Sequence, residues 1–361
     1  MRYYIIAGEP SGDLHAEELI EGLKKKDKEA EIRFWDSTRM VTVMGVVEVF
    51  GQIPKILRIF SKCKKDILSF KPDVLILVDY PGFNLRMAQF AHNHGIKVFY
   101  YIAPKLWARG EGRIKRIKKY VDELFTIFPF ETKYFENLGV KPHYNGNSLP
   151  DHIFKFETHT VCGGGKTIAL LAGSRKGELA WLMPRFVEIE RMMRSDKEHP
   201  WDEYKLLIAG APKLKIEDYM KYIPEDSRMK VLFGETYSIV KQATSAVVSS
   251  GTASLETAIL DTPQVVGYGF NPISYAIGIH FYHSKFFSLA NLISEKLIFK
   301  ELLQYECTSE ALFEELKKIT FDEEYRKVMK SEYAKVREQL GEPGAAERTA
   351  GEMYAILKGG A

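Results

Sequence analysis

The sequence predicts an α/β protein built from two doubly wound parallel sheets. Strand-like apolar runs alternate with helical stretches through most of its 361 residues, which is typical of βαβ units. The alternation pauses between His152 and Lys166 and then restarts, so we expect two halves joined near residue 155. The chain length also favours two domains over one.

In the first half, the clearest strand is a continuous apolar run at Val74–Val78, as expected of a parallel strand buried on both faces. The strands predicted here are Tyr3–Ala7, Val74–Val78, Val98–Ile102 and Leu124–Ile127, and the helices are Leu14–Lys26 and Leu85–Asn93.

The second half repeats this alternation after a glycine-rich stretch, Cys162–Gly165, that is typical of a linker. The strands predicted here are Thr167–Leu171, Lys205–Ala209, Val231–Phe233, Ala246–Ser249 and Gln264–Gly267. The charged stretch Asp322–Leu340 is predicted to be helical, and Gly341–Gly344 separates it from a last helix, Ala345–Leu357.

Composition and charge exclude some classes of protein. A formal net charge of +3 argues against a globally basic nucleic-acid binder. Three scattered cysteines form neither a metal-ligand spacing nor an evident disulfide framework, which favours a reducing cytosol and no metal site. No apolar run is long enough to span a bilayer, so we expect any membrane role to be peripheral.

The turn after the first predicted strand is a candidate binding site. It reads Gly8-Glu9-Pro10-Ser11-Gly12-Asp13 and joins a strand to a helix. Glycine permits close approach of the backbone to a ligand, and a helix N-terminus offers N–H groups to negative charge. The alternative is an ordinary strand–helix turn in which Ser11 or Asp13 caps the helix.

Asp79 directly follows the strand Val74–Val78 and is the candidate general base. The carboxyl ends of parallel strands face the crevice where such sheets bind ligands, and a carboxylate there can accept a proton. The alternative is a turn-forming or helix-capping aspartate beside Pro81 and Gly82.

Two turns in the second half are candidate phosphate sites. The first, Gly173-Ser174-Arg175, combines a flexible glycine with a guanidinium suited to phosphate oxygens. Its alternative is a surface Arg175 paired with Glu178.

The second candidate turn contains Ser250, Gly251 and Thr252 between a strand and a helix, so its amides can hold a diphosphate. Glu256, in the first turns of that helix, can accept both hydroxyls of a ribose. The alternative, which is compatible with binding, is a capping arrangement of Ser or Thr with Glu256.

Two further stretches have membrane-binding character. Phe99–Lys119 mixes aromatic and cationic residues, among them Lys105, Trp107, Arg109 and Arg113, and can face anionic headgroups. Met44–Phe60 is rich in apolar residues and can form a docking patch. The alternatives are a solvated helix face for the first stretch and core packing for the second.

Taken together, the motifs resemble the lipid-A-disaccharide synthase family of glycosyltransferases. In the first half they are Ala7–Asp13, Met44–Val49, Lys71–Val74, Asp79–Leu85, Tyr101–Ala108 and Phe128–Glu131. In the second half they are Leu171–Arg175, Ser250–Glu256, Leu289–Leu292 and Lys300–Gln304. The set runs nearly end to end in the order of the family, which makes it far more specific than any single glycine motif.

The resemblance implies a GT-B fold and a reaction. Two Rossmann-like domains face each other across a cleft, and the last helix crosses back to the first domain. The family transfers 2,3-diacylglucosamine from its UDP carrier to 2,3-diacylglucosamine 1-phosphate (lipid X), forming a β-1,6 disaccharide and releasing UDP. It works without a required metal or other cofactor, at the inner face of the cytoplasmic membrane.

The resemblance also implies roles for individual residues. Asp79 matches the essential aspartate, Arg175 an arginine near the donor diphosphate, and Glu256 the ribose-binding acid of related enzymes. Asn291 matches a polar residue near the donor. Glu9, Ser11 and Asp13 match a loop that lines the cleft beside Asp79, where the acceptor and the transferred sugar meet.

The resemblance also bears on domains and assembly. We expect an acceptor and membrane domain of residues 1–154 plus 344–361, and a UDP-sugar domain of residues 155–343. The chain is expected to be a monomer or a homodimer with exchanged C-terminal segments. It is shorter than the family pattern between Phe34 and Met44, which predicts a shortened strand–helix unit on the acceptor side.

Two alternative functions stay open at this point. One is another UDP-sugar enzyme of the same fold, such as a UDP-sugar 2-epimerase. The other is a non-catalytic protein that binds lipid or nucleotide.

Overall fold

The computed structural model describes residues 1–39, 46–107, 110–269 and 285–359. The chain divides into two compact units, one formed by residues 1–148 and 341–361 and the other by residues 149–340. The second unit therefore begins at Leu149 rather than near residue 155. The glycine-rich stretch Cys162–Gly165 lies inside this unit, where the Lys205 ammonium donates hydrogen bonds to the carbonyls of Cys162 and Gly164.

The first unit is a parallel sheet with helices between its strands. Its strands are β1 (Arg2–Ala7), β2 (Glu31–Trp35), β3 (Val74–Val78), β4 (Lys97–Tyr101), β5 (Glu123–Thr126) and β6 (His143–Tyr144). Its helices up to that point are α1 (Pro10–Lys26), α2 (Val46–Phe70), α3 (Pro81–His92), α4 (Ile114–Tyr120) and α5 (Pro129–Asn137). All neighbours are parallel in the order β2-β1-β3-β4-β5-β6.

The second unit repeats this design. Its strands are β7 (Thr167–Leu171), β8 (Lys205–Gly210), β9 (Lys230–Phe233), β10 (Ser245–Ser249), β11 (Gln264–Tyr268) and β12 (Glu301–Leu303). Its described helices are α6 (Leu149–Lys155), α7 (Lys176–Ser195), α8 (Ile216–Met220), α9 (Thr236–Gln242), α10 (Thr252–Ile259), α11 (Leu289–Ser294), α12 (Ser309–Phe321) and α13 (Glu323–Leu340). The sheet is parallel throughout, in the order β12-β11-β10-β7-β8-β9.

The sheet cores follow from the apolar runs seen in the sequence. All five residues of β3 are buried, and so are all five of β7 and of β10. Central parallel strands are covered on both faces by helices, so a continuous apolar run is stable there. The predicted strands are therefore confirmed at the centre of each sheet.

The predicted return of the C-terminal helix to the first unit is confirmed. The helix α14 (Ala345–Leu357) packs along α1, and the Lys25 ammonium lies 2.8 Å from the Glu347 carboxylate. A Cβ placed on Gly22 would lie 2.8 Å from the Cβ of Ala350, so the two helices approach closely where both residues are small.

Candidate active site

In the first sheet, the order in which successive strands are added reverses between β1 and β3. Open parallel sheets bind ligands at such a topological switch point. Ala7 and Val78, which end these strands, are paired, so the turn that starts at Gly8 lies beside Asp79. A Cβ on Gly8 would lie 2.2 Å from the Tyr80 ring, which explains the need for glycine there. Burial raises the pKa of the Tyr80 phenol, and the nearby charge of Glu9 raises it further.

Asp79 has an unusual backbone that neighbouring side chains hold in place. Asp79 and Tyr80 both have a φ of +46°, a region that residues with a Cβ rarely occupy. The buried Asn84 amide donates to the Asp79 carbonyl at 2.7 Å and to the Val78 carbonyl at 3.0 Å. The Tyr100 hydroxyl donates to the same Asp79 carbonyl at 2.6 Å. The sequence did not predict these supporting roles for Asn84 and Tyr100, because side-chain contacts leave no periodic signal.

The Asp79 carboxyl is suited to accept a proton. Burial raises its pKa, and the charge of Lys105 is the largest influence in the opposite direction. The capping alternative is wrong, because Tyr80 is the N-cap of α3 and no side chain caps that helix among the described residues. A partly desolvated carboxylate is a stronger base than one in bulk water.

The helix α1 begins earlier than predicted. It starts at Pro10 rather than Leu14, because proline is favoured at the first helical position. Glu9 is the N-cap and makes no capping hydrogen bond through its side chain, so the alternative in which Ser11 or Asp13 caps the helix is wrong. Ser11 and Asp13 lie in the first turn of α1.

The proposed acceptor residues lie after β4. Lys105 is exposed in that loop, and the indole nitrogen of Trp107 donates to a Glu131 carboxylate oxygen at 3.1 Å. Arg113 is exposed, and its charge lowers the pKa of Tyr100, which burial raises. Arg109 lies outside the described residues. Glu131, whose motif was noted in the sequence, was not predicted as part of the site.

In the second sheet, the order of strands reverses between β7 and β10. This switch point brings the two predicted phosphate turns to the same edge of the sheet. Leu171 at the end of β7 pairs with Val248 near the end of β10. The chain then leaves these strands through the Gly173 turn and the Gly251 turn. Two segments that are far apart in the sequence therefore lie at one edge of one sheet.

In the Gly173 turn, the backbone amides already have a partner. Gly173 has a φ of +97°, and a Glu178 oxygen accepts hydrogen bonds from the amides of Ser174 and Arg175 at 2.7 and 3.2 Å. The Arg175 guanidinium lies 3.1 Å from the other Glu178 oxygen, so the predicted ion pair is present. The Arg175 side chain remains 66% exposed, against 11% for Glu178, so the guanidinium can still bind an anion.

The Gly251 turn differs, because no side chain in the described part of the chain caps its amides. Gly251 is the N-cap of α10 with a φ of +142°, and no described side chain caps that helix. The capping alternative is therefore wrong: the Ser254 hydroxyl donates to the Gly251 carbonyl at 2.8 Å instead. Ser250, Gly251 and Thr252 thus form an open helix N-terminus, which is a favourable place for a phosphate.

Glu256 has a partner that the sequence did not predict. The Tyr237 hydroxyl, on α9, donates to a Glu256 carboxylate oxygen at 3.1 Å. Burial raises the pKa of Glu256, and this hydrogen bond acts in the opposite direction. The carboxylate is thus held in one orientation beside the Gly251 turn.

Asn291 occupies a fully buried position rather than an open one. Its amide nitrogen donates to the Phe299 carbonyl at 3.0 Å and to the Glu301 carboxylate at 2.7 Å, and its oxygen accepts from the Ile298 amide at 2.9 Å. Glu301 also accepts from the amides of Phe287 and Ser288. In this arrangement Asn291 organises the segment around β12 and presents no exposed atom to a ligand.

The stretch Met44–Phe60 divides between core and surface where it is described. Phe60 is buried and stacks on Phe83, with ring centroids 4.3 Å apart, whereas Leu57 is 61% exposed. Met44 and Gly45 lie outside the described residues. Within the described part of the chain, no helix combines the length and the hydrophobicity needed to cross a membrane.

Comparison with known proteins decides the family. The model of the lipid-A-disaccharide synthetase family matches residues 3–353. The chain belongs to this family. The lipid-A-disaccharide synthase of Syntrophus aciditrophicus (strain SB) is 34% identical, over 98% of this chain and 97% of that protein. The corresponding synthase of Myxococcus xanthus (strain DK1622) is 33% identical, over 99% of this chain and 98% of its own length.

A solved structure confirms the fold predicted for this family member. A putative UDP-N-acetylglucosamine 2-epimerase from Listeria monocytogenes superposes with a TM-score of 0.66 at 14% identity, covering 100% of this chain and 97% of that chain. At this identity the likeness shows the shared GT-B fold alone.

Proposed function

We propose that this lipid-A-disaccharide synthase family member transfers 2,3-diacylglucosamine from UDP-2,3-diacylglucosamine to the 6-hydroxyl of lipid X. The product is the β-1,6-linked tetraacyldisaccharide 1-phosphate, and UDP is released. The observation that carries the proposal is the family match along nearly the whole chain, together with a half-buried Asp79 at the switch point of the first sheet.

The proposed reaction is a direct displacement. The acceptor hydroxyl oxygen forms a bond to the anomeric carbon of the donor while the bond from that carbon to the UDP oxygen breaks, and UDP leaves with the electron pair. Asp79 accepts the proton of the hydroxyl. The raised pKa of its carboxyl supports this role, and Asn84 and Tyr100 hold its backbone so that the carboxyl keeps one position.

We place donor binding in the second unit. The Arg175 guanidinium and the amides around Gly251 bind the diphosphate and stabilise the charge that develops on it as it leaves. Glu256, oriented by Tyr237, accepts the ribose hydroxyls. Gly173 and Ser174 shape the turn that carries Arg175, and Asn291 acts by holding the β12 segment rather than by touching the donor.

We place acceptor binding in the first unit. We assign Glu9, Ser11 and Asp13 to this side of the site, because the turn after β1 and the start of α1 lie next to the turn of Asp79. The cations Lys105, Arg109 and Arg113, with Trp107, suit the phosphate and acyl chains of lipid X.

One assay tests the proposal. The full-length protein is incubated with UDP-2,3-diacylglucosamine and lipid X, and disaccharide and UDP are quantified by mass spectrometry. Equal amounts of the two products are expected. Release of UDP without disaccharide, or interconversion of the donor with its 2-epimer, would instead favour the related UDP-sugar chemistry and overturn the proposal.

We also propose that the enzyme works as a peripheral protein on the cytoplasmic membrane. Leu57 is exposed on α2, and its neighbour in the chain, Arg58, is an exposed cation, a combination that favours an anionic lipid surface. Leu57→Gln is expected to lower co-sedimentation with phosphatidylglycerol vesicles about threefold, because one leucine contributes near 1 kcal/mol or less at an interface. Leu297, in the second unit, is also 61% exposed, and Leu297→Gln is the matched control. Equal loss in both variants would contradict the assignment of this surface.

A further inference from the structure

Glu131 is a buried carboxyl with no role in the mechanism above. It lies in the first turn of α5, after β5, and only 1% of its surface is exposed. Carboxyl groups are rarely buried to this degree unless they are paired, because loss of water disfavours the charged form. Its position therefore calls for a specific set of partners.

Those partners occupy both oxygens of the Glu131 carboxyl. One oxygen accepts from the Trp107 indole nitrogen at 3.1 Å, and the other accepts from the amides of Ile127 and Phe128 at 3.3 Å each. Burial raises the pKa of Glu131 to about 7, against the influence of these hydrogen bonds and of the Lys105 charge. A carboxylate serves all three donors, whereas a neutral carboxyl must give up acceptor capacity to carry its proton.

Trp107 connects Glu131 to Asp79 through the loop after β4. At the start of this loop the Asp79 amide donates to the Tyr101 carbonyl at 3.1 Å, and the Ala103 amide donates to the Phe125 carbonyl at 3.2 Å. Farther along the loop, Trp107 is held by its hydrogen bond to Glu131. Lys105 lies between these two fixed points, and its charge lowers the pKa of both Asp79 and Glu131.

We propose that Glu131 is a positioning residue for the glycosyl transfer: through Trp107 it holds the loop that carries Lys105 and that begins beside the turn of Asp79. This inference rests on the proposed role of Asp79 as general base. Glu131 itself touches no reacting atom; it sets the electrostatic environment of the residue that does.

Other ionisable groups also face this pair. The charge of Glu131 raises the pKa of Tyr144, on β6, and the charge of Asp79 raises the pKa of Tyr100, on β4. The charge of Arg113 lowers the pKa of Tyr100, and the charge of Arg348, on α14, lowers the pKa of Tyr144. None of these groups lies in the loop held by Trp107, so loss of the Trp107–Glu131 hydrogen bond acts first on Lys105.

The test compares Trp107→Phe, Lys105→Met and the double variant. The Asp79 carboxyl carbon is followed by ¹³C NMR in aspartate-labelled protein and assigned by its absence from Asp79→Asn, while kcat and KM are measured against pH. Both single variants are expected to move the Asp79 titration and the acid limb of kcat to higher pH. On that limb kcat falls about 10-fold, with the KM for the UDP-sugar donor nearly unchanged, because the donor is placed in the second unit. The double variant is expected to match Lys105→Met alone, because both substitutions remove the same influence, which is the effect of the Lys105 charge on Asp79.

Two further variants separate positioning from folding. Trp35, at the end of β2, is 6% exposed, and its indole nitrogen has no hydrogen-bond partner in the described part of the chain. Trp35→Phe is therefore expected to leave the Asp79 titration unchanged. Glu131→Gln, if it folds, is expected to behave as Trp107→Phe does.

The outcomes are distinct. A lower melting temperature for Trp107→Phe with an unchanged Asp79 titration would show a purely structural role and overturn the inference. The NMR titration needs no substrate, so a wild-type protein that makes no disaccharide would count against the proposed function without deciding the role of Glu131.

Discussion

The two units share one fold, but the strand ends at their switch points carry opposite chemistry. In the first unit the switch point presents Asp79, with Glu131 buried two strands away, and burial raises the pKa of both carboxyls. In the second unit it presents the open amides of the Gly251 turn and the exposed Arg175 guanidinium. We therefore propose that the first edge takes up a proton and that the second binds an anion.

This difference shows how few residues assign the chemistry of a doubly wound sheet. Both edges consist of a strand, a short turn and the start of a helix. In the first unit Asp79 and Tyr80 occupy the turn with a strained backbone, and in the second Gly251 leaves it uncovered. Function therefore depends on the turn residues and not on the sheet that carries them.

The strongest test of the comparison is to remove the proton acceptor. Asp79→Asn is expected to lower kcat by about 10³-fold, because an amide cannot accept the proton, while UDP binding to the second unit stays intact. Isothermal titration with UDP and the disaccharide assay measure the two effects. Asp73→Asn, at the opposite end of β3, is the matched control, since its carboxylate accepts from the Arg2 amide. Loss of UDP binding in Asp79→Asn would mean that Asp79 has a structural role.

A second test removes the guanidinium from the anion-binding edge. Arg175→Ala is expected to lower kcat/KM about 100-fold through weaker stabilisation of the leaving diphosphate. Arg191, on the helix α7 that follows Arg175, makes a similar ion pair with Glu188 at 3.1 Å and is 67% exposed, so Arg191→Ala controls for the loss of a surface pair. If both variants lost the same activity, the assignment of the diphosphate to Arg175 would fail.

A third and smaller effect is expected at the ribose. Tyr237→Phe removes the hydrogen bond that orients Glu256 and is expected to raise the KM for UDP-sugar about fivefold, with little change in kcat. Tyr325 donates a similar hydrogen bond to Glu315 at 2.7 Å elsewhere in the second unit, and Tyr325→Phe is its matched control. An unchanged KM in Tyr237→Phe would remove Tyr237 from the donor site.

The edge strands show where prediction from sequence reached its limit in the fold. The central strands were predicted because their apolar runs are continuous, as in β3 and β10. The strands β2, β6 and β12 were not predicted, because they are short or only partly buried and leave a weak pattern in the sequence. Hydrogen bonds to a neighbouring strand stabilise them, and those bonds depend on tertiary contacts.

In the candidate site, the sequence by itself determined which groups are candidates for carrying the chemistry. Asp79, Arg175, Gly251 and Glu256 stand in turns or helix starts after strands, where residue type and position along the chain are enough to suggest a role. Tertiary structure alone decided which of these groups are buried, covered or open. Glu178 covers the amides of the Gly173 turn, the amide of Asn291 is used within the protein, and Glu131 reaches Trp107 from the helix α5. Burial and hydrogen-bond partners come from segments distant in the sequence, so no local pattern contains them.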